Sequence, residues 1–277
     1  NSLNINIDDL FRYYYQIIRG KERVITSEKG LRDFFQNDKA SPFSTGNYQN
    51  IMVSLYEILD IIKHVSYLRN INGEIAKWLQ VLYAYTNQYP QYAFIVYLYF
   101  NKDAGENENI EFIKKIIRYC YGKGATTTVK FEIYSIISKI AHGEPINDYY
   151  LPEFRSDMVD FPGRLTTGLS LLFNYLENSK DGVVSSFYVE KILKSIDQRD
   201  LSAWDNEYFY SLANYIVLDR ASKNTSLVNR IRDYKNSSLP YVQRLFQSES
   251  YSIEDFNRRK KKIQEVLMIF FKGNEGN

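Results

Sequence analysis

Residues 48–68 read YQNIMVSLYEILDIIKHVSYL and carry the clearest periodic pattern in the sequence. The apolar residues of this stretch recur at alternating steps of four and three, at Ile51, Leu55, Ile58, Ile62 and Val65. This spacing places them along one face of an α-helix and is typical of a helix that packs on a neighbouring helix. The pattern predicts a long helix whose apolar face lies in a core.

Helical spacing continues on both sides of this stretch. The 277 residues include only 13 Gly and 6 Pro, so the chain has few obligatory breaks. We expect boundaries where Gly20 ends the first helix, Ser27 caps the second, Pro90 separates two helices and Gly143 ends another. The sequence therefore predicts a mainly α fold.

The pattern changes in the last third of the chain. Residues 182–188 are rich in β-branched and aromatic side chains, which favours a strand. Ser252 and Asp255 form a capping box at the start of a final helix that Gly273 ends. We predict a bundle of about eight helices over residues 1–181, then a small α+β domain over residues 182–277 that the terminal helix closes.

Composition and charge exclude several classes of protein. A chain with 44% hydrophobic and 25% charged residues is typical of a globular protein. Because 35 Lys and Arg nearly balance 33 Asp and Glu, the net charge is only +2. No overall field then attracts the chain to nucleic acid or anionic lipid, so any such binding needs a local patch.

Cysteine content and apolar runs bear on the compartment. A lone cysteine, Cys120, excludes an internal disulfide and a multi-cysteine metal site, and its helical spacing predicts a core position. No apolar run approaches the length of a membrane helix, and we expect a cytoplasmic protein without a membrane partner. The chain begins with Asn1 and its first helix follows almost at once, which suggests a piece of a longer polypeptide.

Two basic clusters could contact nucleic acid. One places three tyrosines between two arginines near the start of the chain, and the other lies on the terminal helix. The candidate contacts are Arg12, Arg19, Arg258, Arg259 and Lys262. The alternative is structural, because tyrosines fill half-buried helical positions and charged runs form solvated helix faces.

Five short segments resemble one protein family. Residues 188–194, YVEKILK, resemble the Glu-His-Ile-Leu-Pro signature of the HNH-like domain of GmrSD-type, modification-dependent restriction endonucleases. Residues 212–219, LANYIVLD, are similar to that family's Leu-Gly-Asn-Leu-x-Leu-Leu-Asp, and residues 224–227, NTSL, to its Asn-Ser-Ser segment. Residues 9–14 and 27–32 resemble the start of the family's helical region.

The resemblance implies a set of site residues. An HNH site needs a neutral imidazole as general base, a divalent cation, and oxygen ligands that hold that cation. Carried over residue by residue, Glu190 and Asn224 stand at the metal-ligand positions and Asn214 at the positioning role. Lys191 stands where the family has its histidine, and Lys194 replaces the proline.

The lysine changes the chemistry that the resemblance implies. An ammonium has no lone pair to accept a proton, and it repels a cation placed beside it. A buried lysine can regain basicity, whereas an exposed or ion-paired lysine cannot. We therefore expect a degenerate nuclease domain that is not active alone, with no cofactor, or with Mg²⁺ if the site is functional.

The resemblance also implies a role and partners. We expect the C-terminal fragment of a GmrSD-like phage-defence protein that contacts DNA or docks a protein, including its own missing N-terminal nucleotide-dependent domain. One alternative is a helical interaction scaffold with no nucleic-acid role. Another is an active metal-dependent DNA endonuclease that uses Lys191 or a histidine from elsewhere, such as His142. In the simplest case Glu190, Lys191, Asn214 and Asn224 serve only the fold.

Overall fold

The computed structural model describes residues 6–123, 126–146, 154–178, 182–183, 186–194, 197, 206–223, 226–247 and 250–273. The described chain is mainly helical with one small sheet, which confirms the predicted fold class. The helices are α1 (Ile7–Lys21), α2 (Leu31–Asn37), α3 (Tyr48–Asn70), α4 (Glu74–Tyr83), α5 (Tyr89–Phe100), α6 (Glu106–Lys123), α7 (Thr126–Ala141), α8 (Asp157–Asp160), α9 (Thr166–Glu177), α10 (Leu227–Lys235), α11 (Pro240–Leu245) and α12 (Ile253–Lys272). The strands are β1 (Tyr188–Lys191) and β2 (Tyr215–Leu218).

The contacts divide the chain into two compact units. The first unit combines Asn1–Ile71 with Asn87–Tyr150, and the second combines Asn72–Thr86 with Leu151–Asn277. These divisions differ from the expected boundary after residue 181, since α4, α8 and α9 belong to the second unit. The physical reason is side-chain packing: α4 lies against α9, and Trp78 of α4 stacks on Phe270 of α12 with centroids 5.7 Å apart.

The first unit is built around α5, as its almost wholly apolar sequence predicts. Helix α5 contacts α1, α3, α6 and α7. The predicted long helix is α3, and its seam residues Ile51, Leu55, Ile58 and Val65 are buried. Cys120 is fully buried in α6, as predicted, and burial raises the pKa of its thiol. Within the described ranges, no helix is both long and apolar enough to cross a bilayer.

The second unit places a two-stranded sheet among helices. Strands β1 and β2 are antiparallel, and their register runs from Tyr188 opposite Leu218 to Lys191 opposite Tyr215. Strand β2 packs on α9, which also contacts α4 and α12. The capping box that opens α12 is present as predicted, and Gly273 follows its last residue.

The predicted helix boundaries agree with the structure except at α2. Helix α1 ends at Lys21, one residue beyond the predicted stop at Gly20, and the side chain of Asn6 caps its first turn. Ser27 does not cap α2, because α2 begins at Leu31 with Gly30 at its N-cap position. The carbonyl oxygen of Ser27 accepts a 2.6 Å hydrogen bond from Arg19. Pro90 lies in the first turn of α5, where its missing N–H costs nothing, and α5 is separate from α4 as predicted. Of the strand-like stretch 182–188, only Tyr188 is in β1, and residues 184–185 lie outside the described residues.

Gly20 lets α1 approach α7 closely, which gives a stability prediction. A Cβ at residue 20 would lie 3.0 Å from the carbonyl oxygen of Ile137 and 3.1 Å from the Cβ of Ala141. We expect Gly20→Ala to lower the free energy of unfolding by about 1–3 kcal/mol through overpacking. The measurement is urea unfolding followed by circular dichroism.

Gly30→Ala is the matched control for this variant. Residue 30 has φ −59, and a Cβ there has no atom within 4 Å. We expect its free energy of unfolding to stay within about 0.5 kcal/mol of the wild type or to rise slightly. A Gly20→Ala protein as stable as the control would contradict the close α1–α7 approach.

Candidate functional site

The candidate site lies in the second unit, where β1, β2 and α10 follow one another along the chain. A 3₁₀ turn over Leu212–Asn214 leads directly into β2, and Ser226 caps α10 through its side chain. These elements bring Glu190 and Lys191 on β1 beside the start of β2, where Asn214 lies. Asn224 lies outside the described residues, so the structure places two of the three oxygen-bearing candidates.

The side chain of Asn214 forms hydrogen bonds to the backbone that follows β1. Its side chain is fully buried, and its Oδ1 accepts a 2.7 Å hydrogen bond from the Leu193 N–H. Its Nδ2 donates to the carbonyl oxygens of Leu193 at 2.9 Å and Phe209 at 3.3 Å. The Asn214 carbonyl also accepts from the Ile192 N–H at 2.8 Å. The side-chain NH₂ group of Asn214 therefore donates both of its protons within the protein, and the residue positions the backbone at Leu193 and Phe209.

Glu190 has partners on both carboxylate oxygens. Oε2 accepts a 2.9 Å hydrogen bond from the Ser222 N–H. Oε1 lies 2.6 Å from the Lys194 ammonium and accepts a 3.4 Å hydrogen bond from the Tyr234 hydroxyl. The Glu190 side chain is only 11% exposed, so the Lys194 charge compensates the carboxylate where water is scarce. Burial, and then the Glu190 charge, raise the pKa of Tyr234.

Lys191 points its ammonium at aromatic rings. Its Nζ lies 5.2 Å from the ring centroid of Tyr210 and 5.5 Å from that of Tyr215. Cation–π contacts of this length stabilise the positively charged ammonium. The position that the resemblance assigns to the general base therefore holds a lysine packed against aromatic rings.

Arg230 and Asp197 are buried partners that the sequence analysis missed. The Arg230 side chain is fully buried and donates to Asp197 at 2.5 Å and to the Ile192 carbonyl oxygen at 2.8 Å. These contacts join α10 to the end of β1. No local pattern reveals them, because an arginine among polar residues on a short helix looks like a surface cation.

A cavity of about 360 Å³ opens beside Glu190. It is lined by residues 218–223 together with Asp233, Tyr234 and Ser237. Burial favours a raised pKa for Asp219, but hydrogen bonds from Ser238 and Ser237 outweigh it, so the pKa is lowered. Arg220 and Lys223 are exposed on this loop, and sequence analysis overlooked them although both closely follow β2.

The histidines and acidic side chains of the described residues do not form a metal-binding cluster. There, no group of three or more His, Cys, Asp or Glu side chains is arranged to hold one. His64 is exposed, and Nδ1 of His142 lies 2.8 Å from the Ser138 carbonyl oxygen in the first unit.

Two of the predicted nucleic-acid contacts are engaged inside the protein. Arg19 is only 2% exposed, and its guanidinium lies 3.7 Å from the Tyr134 ring centroid. Arg259 donates to the carbonyl oxygens of Ala213 at 3.1 Å and Tyr215 at 2.7 Å. Both arginines hold backbone in place, which corrects their assignment as nucleic-acid contacts.

The other three basic candidates are exposed. The Arg258 side chain is 78% exposed and lies 3.4 Å from Asp255, and the Lys262 side chain is 51% exposed and lies 3.4 Å from Glu177. Exposed pairs of this kind contribute little stability, so both cations are available to a partner. Arg12 is exposed at the edge of a separate cavity in the first unit.

Comparison with known proteins adds no relative. No family model matches the chain, and no curated protein is significantly similar to it in sequence. A functional proposal therefore depends on the resembling segments and on the contacts made by Glu190, Lys191 and Asn214.

Replacing Asn214 tests its structural role. Asn214→Ala leaves the buried N–H and C=O groups of Leu193 and the Phe209 carbonyl without their side-chain partners. We expect the free energy of unfolding to fall by about 3 kcal/mol or more, since each such group costs about 1–3 kcal/mol. Urea unfolding measures the loss.

Asn236→Ala supplies the control, because Asn236 is exposed and its side chain donates only to the Arg232 carbonyl oxygen. We expect this variant to lose about 0.5 kcal/mol. Equal losses of unfolding free energy in the two variants would contradict the structural role of the Asn214 side chain.

Proposed function

We propose that this chain is the C-terminal part of a GmrSD-like defence protein and that its β1–β2–α10 unit contacts DNA without cutting it. The observation that supports this proposal best is the convergence of Glu190 and Asn214, from two resembling segments, at adjoining ends of β1 and β2. These two segments are separated in sequence, and they follow one another along the chain in the order that the resemblance implies.

The lack of cleavage follows from the chemistry at β1. A water molecule needs a base to remove its proton, and the Lys191 ammonium has no lone pair to offer. A metal ion bound by Glu190 would have to displace the Lys194 ammonium and the hydrogen bonds from Ser222 and Tyr234. The unit therefore keeps a nuclease-like framework and lacks the hydrolytic groups.

DNA contact is assigned to the loop that holds Glu190. Arg220 and Lys223 are exposed at the cavity rim, and neither pairs with a carboxylate among the described residues. Ser222, between them, ties the loop to Glu190 and donates its hydroxyl to Asp233 at 2.6 Å. Cations on an anchored loop are suited to phosphate oxygens, which carry most of the affinity for DNA.

DNA binding is tested by the mobility of labelled plain and modified DNA across a salt series. We expect weak binding that falls as salt rises, because cation–phosphate contacts release counterions. Arg220→Ala/Lys223→Ala should reduce the slope of log affinity against log salt by about 2.

Lys39→Ala/Lys63→Ala is the control pair, since it removes two positive charges from exposed positions of the first unit. We expect its salt slope to match that of the wild type. If Arg258→Ala/Lys262→Ala reduces the slope and the loop variant does not, the contact lies on α12 instead.

Cleavage is tested on supercoiled plasmid with Mg²⁺ or Mn²⁺. We expect no nicking, because the site has no base. Metal-dependent nicking that disappears in Glu190→Ala would show an active nuclease and would contradict the proposal.

A helical interaction scaffold is the second candidate. It is favoured by three exposed apolar residues on one face of α3, where Tyr48 is 62%, Met52 47% and Tyr56 60% exposed. The spacing of four residues keeps them adjacent. DNA that shows no mobility shift even at low salt would favour the scaffold.

A further inference from the structure

A second cavity, of about 320 Å³, lies wholly within the first unit. Its walls come from α1, the segment before α2 and the start of α5. Its volume is near the lower end of the range for small-molecule sites, about 300–1,000 Å³. Four of the residues that line it carry groups that can recognise a ligand: Arg12, Gln16, Tyr89 and Tyr92.

Gln16 supplies an unused acceptor. The residue is 3% exposed, and its Oε1 is buried with no hydrogen-bond partner in the described chain. Buried polar atoms normally have partners, because an unpaired one retains its full cost of desolvation. A ligand whose N–H donates to Oε1 of Gln16 would offset this desolvation cost.

Arg12 supplies an uncompensated positive charge. Arg12 is exposed at the cavity and forms no ion pair with a described carboxylate, and the Tyr92 hydroxyl beside it in the cavity lining donates to Gln88 at 2.8 Å. The other charges of the cavity are paired: Lys29 lies 2.5 Å from Asp38, and Glu28 pairs with Lys130. A guanidinium with spare donors favours an anionic group, and phosphate matches its geometry.

Two tyrosines supply flat apolar surface. The rings of Tyr89 and Tyr92 meet edge to face with centroids 6.1 Å apart, beside the first turn of α5. Aromatic rings of this kind pack against planar heterocycles, and nucleobases are a class of planar ligand that also carries N–H donors.

We propose that this cavity binds a single nucleoside monophosphate. A base N–H donates to Oε1 of Gln16, the base packs against the tyrosine rings, and the phosphate pairs with Arg12. The ligand is either a free mononucleotide or one unpaired nucleotide of a DNA strand. The site goes beyond the function proposed for the β1–β2–α10 unit and requires none of its residues.

The test is calorimetric titration of the full chain with the four deoxynucleoside monophosphates, their nucleosides and inorganic phosphate. We expect saturable binding of at least one monophosphate and about tenfold weaker binding of its nucleoside. Arg12→Met should reduce monophosphate affinity to that of the nucleoside. Gln16→Met should weaken both ligands about tenfold.

Arg32→Met is the matched control, since Arg32 is exposed on α2 and, among the described residues, its side chain donates to Gln36 alone. We expect its nucleotide affinity to equal that of the wild type. Thermal unfolding checks the fold of each variant, and Gln16→Met should melt no lower than the wild type because it removes an unpaired polar atom. Arg12→Lys keeps the charge and should lose less affinity than Arg12→Met.

Competition identifies the source of the nucleotide. A single-stranded oligonucleotide that displaces the monophosphate, while a blunt duplex does not, indicates an unpaired nucleotide of a strand. No displacement by either DNA indicates a free mononucleotide. Absence of saturable binding, or binding that Arg12→Met and Gln16→Met leave unchanged, overturns the proposal.

The Arg220→Ala/Lys223→Ala variant separates the two proposals. We expect it to bind the monophosphate as the wild type does while losing salt-dependent DNA affinity. Failure of one proposal therefore leaves the other intact.

Discussion

The second unit depends on the buried side-chain amide of Asn214. Its hydrogen bonds occupy both backbone groups of Leu193, which would otherwise be buried without partners. Arg259 of α12 binds the carbonyl oxygens of Ala213 and Tyr215, on either side of the same residue. The end of β1, the start of β2 and the terminal helix are thus fixed at one point, and this arrangement sets where Glu190 and Lys191 lie.

The positions that resemble a nuclease site are built into this anchored framework. Glu190 is joined to Lys194, Ser222 and Tyr234, so its charge stabilises the fold. Lys191 rests against aromatic rings in place of an imidazole. The loop that Ser222 ties to Glu190 carries two exposed cations, Arg220 and Lys223, and the proposed binding role depends on them.

The sequence predicts well what depends on local spacing. The α3 seam, the core position of Cys120 and the capping box of α12 follow from periodicity and from one short motif. The errors arise where distant segments meet. Gly20 marks the end of α1 to within one residue, but its close approach to α7 is not visible in the sequence, and Arg19 and Arg259 look like surface cations but bind backbone carbonyls. The Arg230–Asp197 pair and the unpaired Gln16 oxygen require the tertiary structure to be found.

Glu190 pairs with Lys194 and accepts hydrogen bonds from Ser222 and Tyr234, and we propose that it is therefore not free to bind a metal ion. The decisive measurement is calorimetric titration of Mn²⁺ into the full chain, with Glu190→Ala as the reference. We expect no saturable binding at millimolar Mn²⁺ and identical traces for the two proteins. Micromolar Mn²⁺ binding that is lost in Glu190→Ala would contradict this proposal.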